Sequence, residues 1–137
     1  MRQRIGLVTL VVEDYDEAIA YFVRKLGFAL VQDTPIDGGK RWVVVAPRGT
    51  RESGLLLAKA ANAQQRRAVG SQAGGRVFLF LYTDDLRRDH AAFKERGVAF
   101  IDEPRREPYG IVAVFTDLHG NHWDLIEPCA SDGSAPT

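Results

Sequence analysis

An internal repeat constrains the fold of this chain more than any other feature of its sequence. Two predicted helices have matching segments at both ends. The first follows Val12-Glu13-Asp14 and the second follows Tyr82-Thr83-Asp84. The first ends at Leu26-Gly27-Phe28 and the second ends at Arg96-Gly97-Val98. Both pairs are 70 residues apart, close to half of the 137-residue length. A period of this size indicates two copies of one supersecondary unit. The sequence therefore predicts a single domain of two similar modules.

The first module is predicted to be a βαβββ unit. Residues 5–12 are rich in β-branched side chains, which favours a strand. Asp14 is suited to cap a helix over residues 15–26, and Gly27 is suited to end it. Three more strands are predicted at residues 28–32, 41–46 and 54–59.

The second module repeats this order. Residues 76–82 favour a strand, and Asp84 or Asp85 caps a helix that reaches Arg96. Strands are then predicted at residues 98–101, 111–116 and 122–127, with a polar loop at residues 104–110. We therefore expect an α+β fold in which residues 1–130 form one domain. Module one covers about residues 4–60, and a linker with a possible helical turn covers residues 61–75. Module two covers residues 76–128, and a flexible tail covers residues 129–137.

Composition excludes several functional classes. Lys and Arg total 18 and Asp and Glu total 18, so the chain lacks the accumulated positive charge by which proteins bind nucleic acids or anionic membranes. No apolar run approaches the roughly 20 residues that span a bilayer, and no signal sequence is visible. The single Cys rules out an internal disulfide and a Cys-based zinc site. These features favour a cytoplasmic protein.

The motifs within the two modules resemble those of one superfamily. The resemblance rests on the segments around the two helices and on Asp117-Leu118-His119-Gly120-Asn121-His122-Trp123-Asp124 near the end of the second module. These segments are similar to the vicinal oxygen chelate superfamily, which includes glyoxalase I, bleomycin-resistance proteins and extradiol dioxygenases. The resemblance implies that the two modules curl into a cup-shaped mixed sheet. It also implies a homodimer, because members of this size commonly pair.

The same resemblance implies four inward-facing positions that hold a divalent metal in the enzymes of the superfamily. These positions fall at Leu7, Leu56, Val77 (or Phe78) and Asp124. Three of the four are hydrocarbon side chains, which offer no lone pair to zinc, nickel, iron or manganese. We therefore expect no cofactor and no metal site.

Asp124 is the candidate catalytic residue and a candidate ligand contact. If Asp124 keeps the inward direction of the family, alternation along the strands places other residues beside it, namely Leu7, Thr9, Leu56, Ala58, Val77, Leu79 and His122. A carboxylate on an apolar floor has a raised pKa, and such groups are concentrated at functional sites. The alternative is that Asp124 only forms a hydrogen bond with His122, Tyr109 or a buried water.

Aromatic and basic residues near the expected cup complete the candidate site. Trp42 and Tyr109 offer flat walls for a planar ligand, whereas Trp123 is expected in the core. Arg76 begins a strand that should line the cup and could receive an anionic group. The other arginines considered for that role are Arg41, Arg105 and Arg106. His90, on the second helix, is expected to be exposed.

Two functions of different class follow. The first is a glyoxalase/bleomycin-resistance-like protein that binds an aromatic or peptide-like small molecule in a metal-free cup, for resistance or sequestration, with Leu7, Trp42, Leu56, Arg76, Tyr109 and His122 as ligand contacts. The neutral charge argues against a strongly cationic ligand. The second is a lyase, isomerase or dioxygenase with an atypical metal site on His122 and Asp124, or with Asp124 as general base. The sequence leaves catalysis and ligand identity open.

Overall fold

Each half of the chain forms one mixed sheet with a helix packed against one of its faces. The computed structural model describes residues 1–49 and 52–129. It divides into two units, of which the first is Met1–Gln72 and the second begins at Ala73. The predicted flexible tail, apart from Cys129, lies outside the described residues. Within the described part of the chain, no helix combines the length and the apolar character needed to cross a membrane.

The first unit contains four strands in the order β1-β4-β3-β2. β1 and β4 run parallel, and the other neighbours are antiparallel. The elements are β1 (Leu7–Val12), α1 (Tyr15–Ala20), a π-helical turn (Tyr21–Lys25), β2 (Ala29–Pro35), a 3₁₀ turn (Asp37–Gly39), β3 (Arg41–Ala46), β4 (Gly54–Lys59) and α2 (Ala63–Ala68).

Strand alternation produces the core of the first unit. Leu10, Val12, Val43 and Val45 are fully buried on one face of the sheet. Arg41 lies on the same face of β3 as Val43 and Val45, and its guanidinium lies over the ring of Tyr15 in α1. The α1 helix therefore lies over this face, and the β-branched side chains fill the space beneath it.

The π-helical turn resolves a mismatch between the two modules. The helix caps are Asp14 and Asp85, which are 71 positions apart, whereas Gly27 and Gly97 are 70 positions apart. The first helical segment therefore contains one residue more than the second. In the π-helical turn the amide of Leu26 donates to the carbonyl of Tyr21, five residues earlier, and this wider turn accommodates the additional residue.

The second unit contains a five-stranded sheet. Its strands lie in the order β5-β9-β8-β6, and β7 also pairs with β8. β5 and β9 run parallel, and the other pairs are antiparallel. The elements are β5 (Val77–Tyr82), α3 (Leu86–Glu95), β6 (Ala99–Phe100), β7 (Arg105–Glu107), β8 (Gly110–Thr116) and β9 (His122–Pro128).

Aromatic rings form the core between α3 and the second sheet. Phe115 stacks on Trp123 with ring centroids 5.6 Å apart, and Phe93 of α3 meets Phe115 at 5.7 Å. Phe100 adds a third ring against Phe115. Because Trp123 and Phe115 face α3, the residues that alternate with them face the other way. The core placement of Trp123 is confirmed.

The predicted α+β architecture of two βαβββ modules is confirmed, but some details were wrong. Residues 104–110 are not simply a loop, since β7 pairs with β8 there. The helical turn that was predicted as possible in the linker is present as α2, six residues capped by Asn62. The strand predicted at residues 28–32 runs on to Pro35 because its polar part pairs with β3.

Candidate functional site

The first sheet has a face that turns away from α1, which we call face A. On it lie the candidate residues Leu7, Trp42 and Leu56, of which Trp42 and Leu56 alternate with buried neighbours. The pairing of Thr9 with Leu56 and of Leu56 with Val44 places these side chains in one row. Leu7 is 42% exposed and Trp42 39% exposed, so both offer apolar surface.

Several of these residues line pockets in the described part of the first unit. One, of about 640 Å³, is lined by Leu7, Val44, Leu30 and Arg48 among others. The second, of about 530 Å³, is lined by residues that include Trp42, Leu56 and Ala58. Both volumes lie in the range of small-molecule sites. The structure thus brings Trp42 and Leu56 to one pocket and places Leu7 at the other.

Arg41, one of the basic candidates, is already occupied. Its Nε and Nη2 donate to Asp33 at 3.1 and 2.7 Å, and its Nη1 donates to Asp16 at 3.0 Å. The guanidinium also lies 5.0 Å from the ring centre of Tyr15. This arrangement lowers the pKa of Asp33 through the hydrogen bonds of Arg41. Three N–H groups of Arg41 are therefore engaged within the fold, and its role toward an anionic ligand remains a prediction.

The second sheet has a face that turns away from α3, which we call face B. Asp124 lies at its centre, paired with Phe80 on β5 and Val114 on β8. Asp124 is 7% exposed, and its Oδ1 is buried with no hydrogen-bond partner among the described residues. Burial raises the pKa of Asp124, and the positive charge of Arg105 partly opposes this increase.

Charged and aromatic groups flank Asp124. Arg105 on β7 pairs with Val112, which pairs with Ile126 next to Asp124 on face B. Its Nε donates to Glu107 at 2.7 Å, so the guanidinium is held in place. Tyr109 is 37% exposed and lies near enough to influence the pKa of Arg105.

His122 and Arg76 are the remaining candidates in this unit. His122 pairs with Val77 and with Thr116, on the same face as Asp124. Arg76 precedes β5 and is exposed, with its amide closing a turn onto Ala73. Its role as a ligand contact remains a prediction.

The prediction that Leu79 lies beside Asp124 was wrong, and the presence of Phe80 there was not predicted. A register shift between Val77 and Leu79 adds one residue to β5, so Leu79 pairs with Trp123 and faces α3. Phe80 takes its place on face B and is 56% exposed. The only signal in the sequence was the length of the apolar run in β5, because strict alternation cannot locate a bulge.

The polar turn before β9 is structural. Asp117 is 6% exposed and accepts hydrogen bonds from the amides of His119 and Asn121, at 3.0 and 3.1 Å. It also accepts 3.0 Å bonds from the side chains of Asn121 and Trp123. The carboxylate therefore fixes the turn and orients the indole of Trp123.

His90 differs from its predicted exposed position. Its ring lies 4.4 Å from that of Phe100, and its Nε2 is buried without a hydrogen-bond partner in the described part of the chain. Burial, with Lys94 nearby, lowers the pKa of His90. It packs as a neutral ring beneath α3 because Phe100 offers an aromatic surface there.

The side chains do not fit a divalent metal at the positions where the superfamily's enzymes hold one. Leu7, Leu56 and Val77 provide no donor atom, which leaves Asp124 alone. Across residues 1–49 and 52–129, no three His, Cys, Asp or Glu side chains form a group that could hold a metal ion.

Comparison with known proteins defines the class. A profile of the Glyoxalase/Bleomycin resistance protein/Dioxygenase superfamily matches residues 4–125. An uncharacterized protein of Shewanella frigidimarina (strain NCIMB 400) is 51% identical over 128 residues, or 93% of this chain and 95% of the relative. The chain belongs to the glyoxalase/bleomycin resistance protein/dioxygenase superfamily.

Two solved structures are similar as well. UcmS2 matches with a TM-score of 0.80 and 32% identity, over 92% of this chain and 98% of that one. TnmS3, described as an antibiotic binding protein from Streptomyces sp. CB03234, matches with a TM-score of 0.75 and 33% identity, over 93% of this chain and 98% of that one.

Proposed function

We propose that this protein binds an aromatic or peptide-like small molecule without a metal ion and thereby sequesters it, as a resistance protein does. The observation that carries the proposal is the exposure of large rings on the sheet faces that turn away from α1 and α3. Trp42 on face A and Phe80 on face B are 39% and 56% exposed. Exposed rings beside apolar strands are suited to stack on a planar ligand.

The chemistry of the other positions supports this proposal. Hydrocarbon side chains stand where the enzymes of the superfamily place metal ligands, as Leu7 and Leu56 illustrate. They provide apolar contact area and no Lewis acid. The similarity to TnmS3, an antibiotic binding protein, supports an antibiotic-like ligand.

We also propose that the protein acts as a homodimer in the cytoplasm. Apolar side chains other than the candidate ligand contacts also remain exposed, among them Val31 at 61% and Ile101 at 48%. A second copy of the chain would cover such surface. Light scattering after size exclusion should give twice the 15.2 kDa chain mass, and a monomer at micromolar concentration would contradict the dimer.

A thermal-shift screen tests the binding function. Untagged protein is screened against a panel of metabolites and antibiotics, because a ligand that binds only the folded state raises the melting temperature. Trp42→Ala or Phe80→Ala should reduce the shift of a genuine ligand. Arg87→Ala removes an exposed side chain of α3, which packs on the sheet face opposite to face B, and serves as the control. If no compound in a broad panel raises the melting temperature, the sequestration function is wrong.

One observation favours a catalytic alternative. Asp124 is buried, its pKa is raised, and its Oδ1 has no partner among the described residues, so it could act as a general base. Turnover of a ligand found in the screen should then disappear in Asp124→Asn while binding and fold are retained. Unchanged turnover in that variant would exclude the base.

A further inference from the structure

Among residues 73–129, the buried side-chain atoms without a hydrogen-bond partner are Oδ1 of Asp124 and Nε2 of His90. Buried carboxylates almost always receive hydrogen bonds, because burial without a partner costs much of the hydration energy. The equally buried Asp117 accepts bonds from two backbone amides and two side chains. Asp124 Oδ1 has no such donor among the described residues. It is therefore a buried acceptor at the centre of face B that lacks a donor from the described part of the chain.

The residues around this acceptor define what could approach it. Phe80 and Val114 are its cross-strand neighbours, and Phe80 leaves more than half of its surface exposed. A molecule that hydrogen-bonds to Asp124 would therefore lie beside an aromatic ring. Arg105, held by Glu107, is close enough to interact with Asp124 electrostatically.

We propose that Asp124 accepts a hydrogen bond from a neutral aromatic ligand that carries a hydroxyl or N–H donor, while the ligand's ring packs against Phe80. This inference rests on the proposed binding function and names the ligand class for face B. The donor of the ligand replaces the missing partner of Oδ1, so recognition comes from pairing a buried acceptor rather than from apolar area.

The charges select a neutral ligand. An anionic group would be repelled by the carboxylate of Asp124, because Arg105 already donates to Glu107, and a cationic group would lose hydration on this largely apolar surface. A neutral hydroxyl or N–H satisfies the acceptor without adding charge to an apolar surface. Phenols and aryl amines combine such a donor with a flat ring.

A matched pair of probes tests the inference. 7-Hydroxycoumarin and 7-methoxycoumarin share a flat ring, but only the first can donate a hydrogen bond from position 7. At about pH 6 the hydroxyl is neutral. We expect 7-hydroxycoumarin to bind about tenfold more tightly, as measured by fluorescence titration and by shifts of the amide resonances of Phe80 and Asp124 in ¹H–¹⁵N spectra.

Variants separate the carboxylate from the ring. Asp124→Leu should abolish the preference for 7-hydroxycoumarin, Phe80→Ala should weaken both probes equally, and Asp102→Asn, an exposed carboxylate, should change neither. Equal affinity of the two probes for the wild-type protein overturns the inference alone, as does a preference that survives Asp124→Leu. If neither probe binds up to about 1 mM, the inference and the proposed aromatic ligand class both fail. The comparison within the wild-type protein keeps the test valid even if a variant does not fold.

Discussion

At the scale of single residues, Asp124 and Asp117 show how the same carboxylate serves two purposes. Both are more than 90% buried. Asp117 is surrounded by donors that belong to its own turn, whereas the Oδ1 of Asp124 is left for a partner that the described chain does not supply. A buried polar group without a partner lowers stability, and proteins retain such groups where function needs them. The unpaired Oδ1 of Asp124 should therefore lower the free energy of unfolding, and a ligand that donates a hydrogen bond to it should raise that free energy again.

This cost gives a pH-dependent prediction for Asp124→Asn. Because burial raises the pKa of Asp124, the folded protein binds a proton more tightly than the unfolded chain. Stability is therefore higher when Asp124 is protonated and is lost as the pH rises through its folded-state pKa. We expect Asp124→Asn to increase the free energy of unfolding at neutral pH by on the order of 1 kcal/mol.

The increase should diminish as the pH approaches the ordinary value of 3.8. Urea unfolding at a series of pH values measures this dependence. The exposed control Asp102→Asn should show no comparable trend. A loss of stability at neutral pH in Asp124→Asn would contradict the prediction, because it would mean that the ionised carboxylate is paired in the folded protein.

At the scale of elements, the turn before β9 depends on Asp117. Replacing Asp117 by Ala leaves the indole N–H of Trp123 and the amide of Asn121 without their acceptor in a buried place. We expect a loss of about 2–4 kcal/mol in the free energy of unfolding, followed by urea denaturation and tryptophan fluorescence. Asp102→Ala is the matched surface control. A loss no larger than that of the control would show that the turn does not need the carboxylate.

The π-helical turn also gives an element-scale prediction. Deleting the exposed Arg24 should convert the bond from Leu26 to Tyr21 into an ordinary α-helical bond and leave Phe22 in the core. We expect the deletion to cost less than about 1 kcal/mol. The helix α3 lacks this additional residue, so deleting Ala91 from it should rotate Phe93 out of the core. The loss in the free energy of unfolding should then be several times larger than for the Arg24 deletion. Similar losses in the two deletions, measured by urea unfolding, would contradict this account of the turn.

At the scale of the whole molecule, the repeat predicts the architecture, because period and hydrophobic alternation together define two βαβββ units. Strands such as β3 and β4 match their predicted bounds since both ends are marked by turn residues. The predicted strands are wrong where pairing between strands overrides the local sequence pattern. The charged β7 forms only because β8 offers an edge, and the bulge in β5 exchanges Leu79 for Phe80.

The candidate site also contains features that local sequence pattern predicts and features that depend on contacts between distant residues. The inward direction of Asp124 could be predicted from the resemblance of its segment to the superfamily, and alternation then placed Trp123 on the other side of β9. The lack of a partner for the Oδ1 of Asp124 could not be predicted, since that depends on which side chains arrive from other strands. The burial of His90 likewise depends on Phe100. Contacts between distant residues, rather than local propensity, therefore determine which polar groups remain available for function.

Metal content is the whole-molecule property that most directly divides the proposed binding protein from the metalloenzymes of its superfamily. Leu7, Leu56 and Val77 leave a single carboxylate at the four positions, and one such donor cannot hold a divalent ion at useful affinity. We expect untagged protein purified without chelators to contain far less than about one divalent ion per chain. Treatment with EDTA should change neither its melting temperature nor the affinity for 7-hydroxycoumarin. Replacing Leu7 by His and Leu56 by Glu restores two donors and should raise the bound zinc measurably above wild type. About one tightly held ion per wild-type chain would instead require donors outside these four positions and would favour an enzyme.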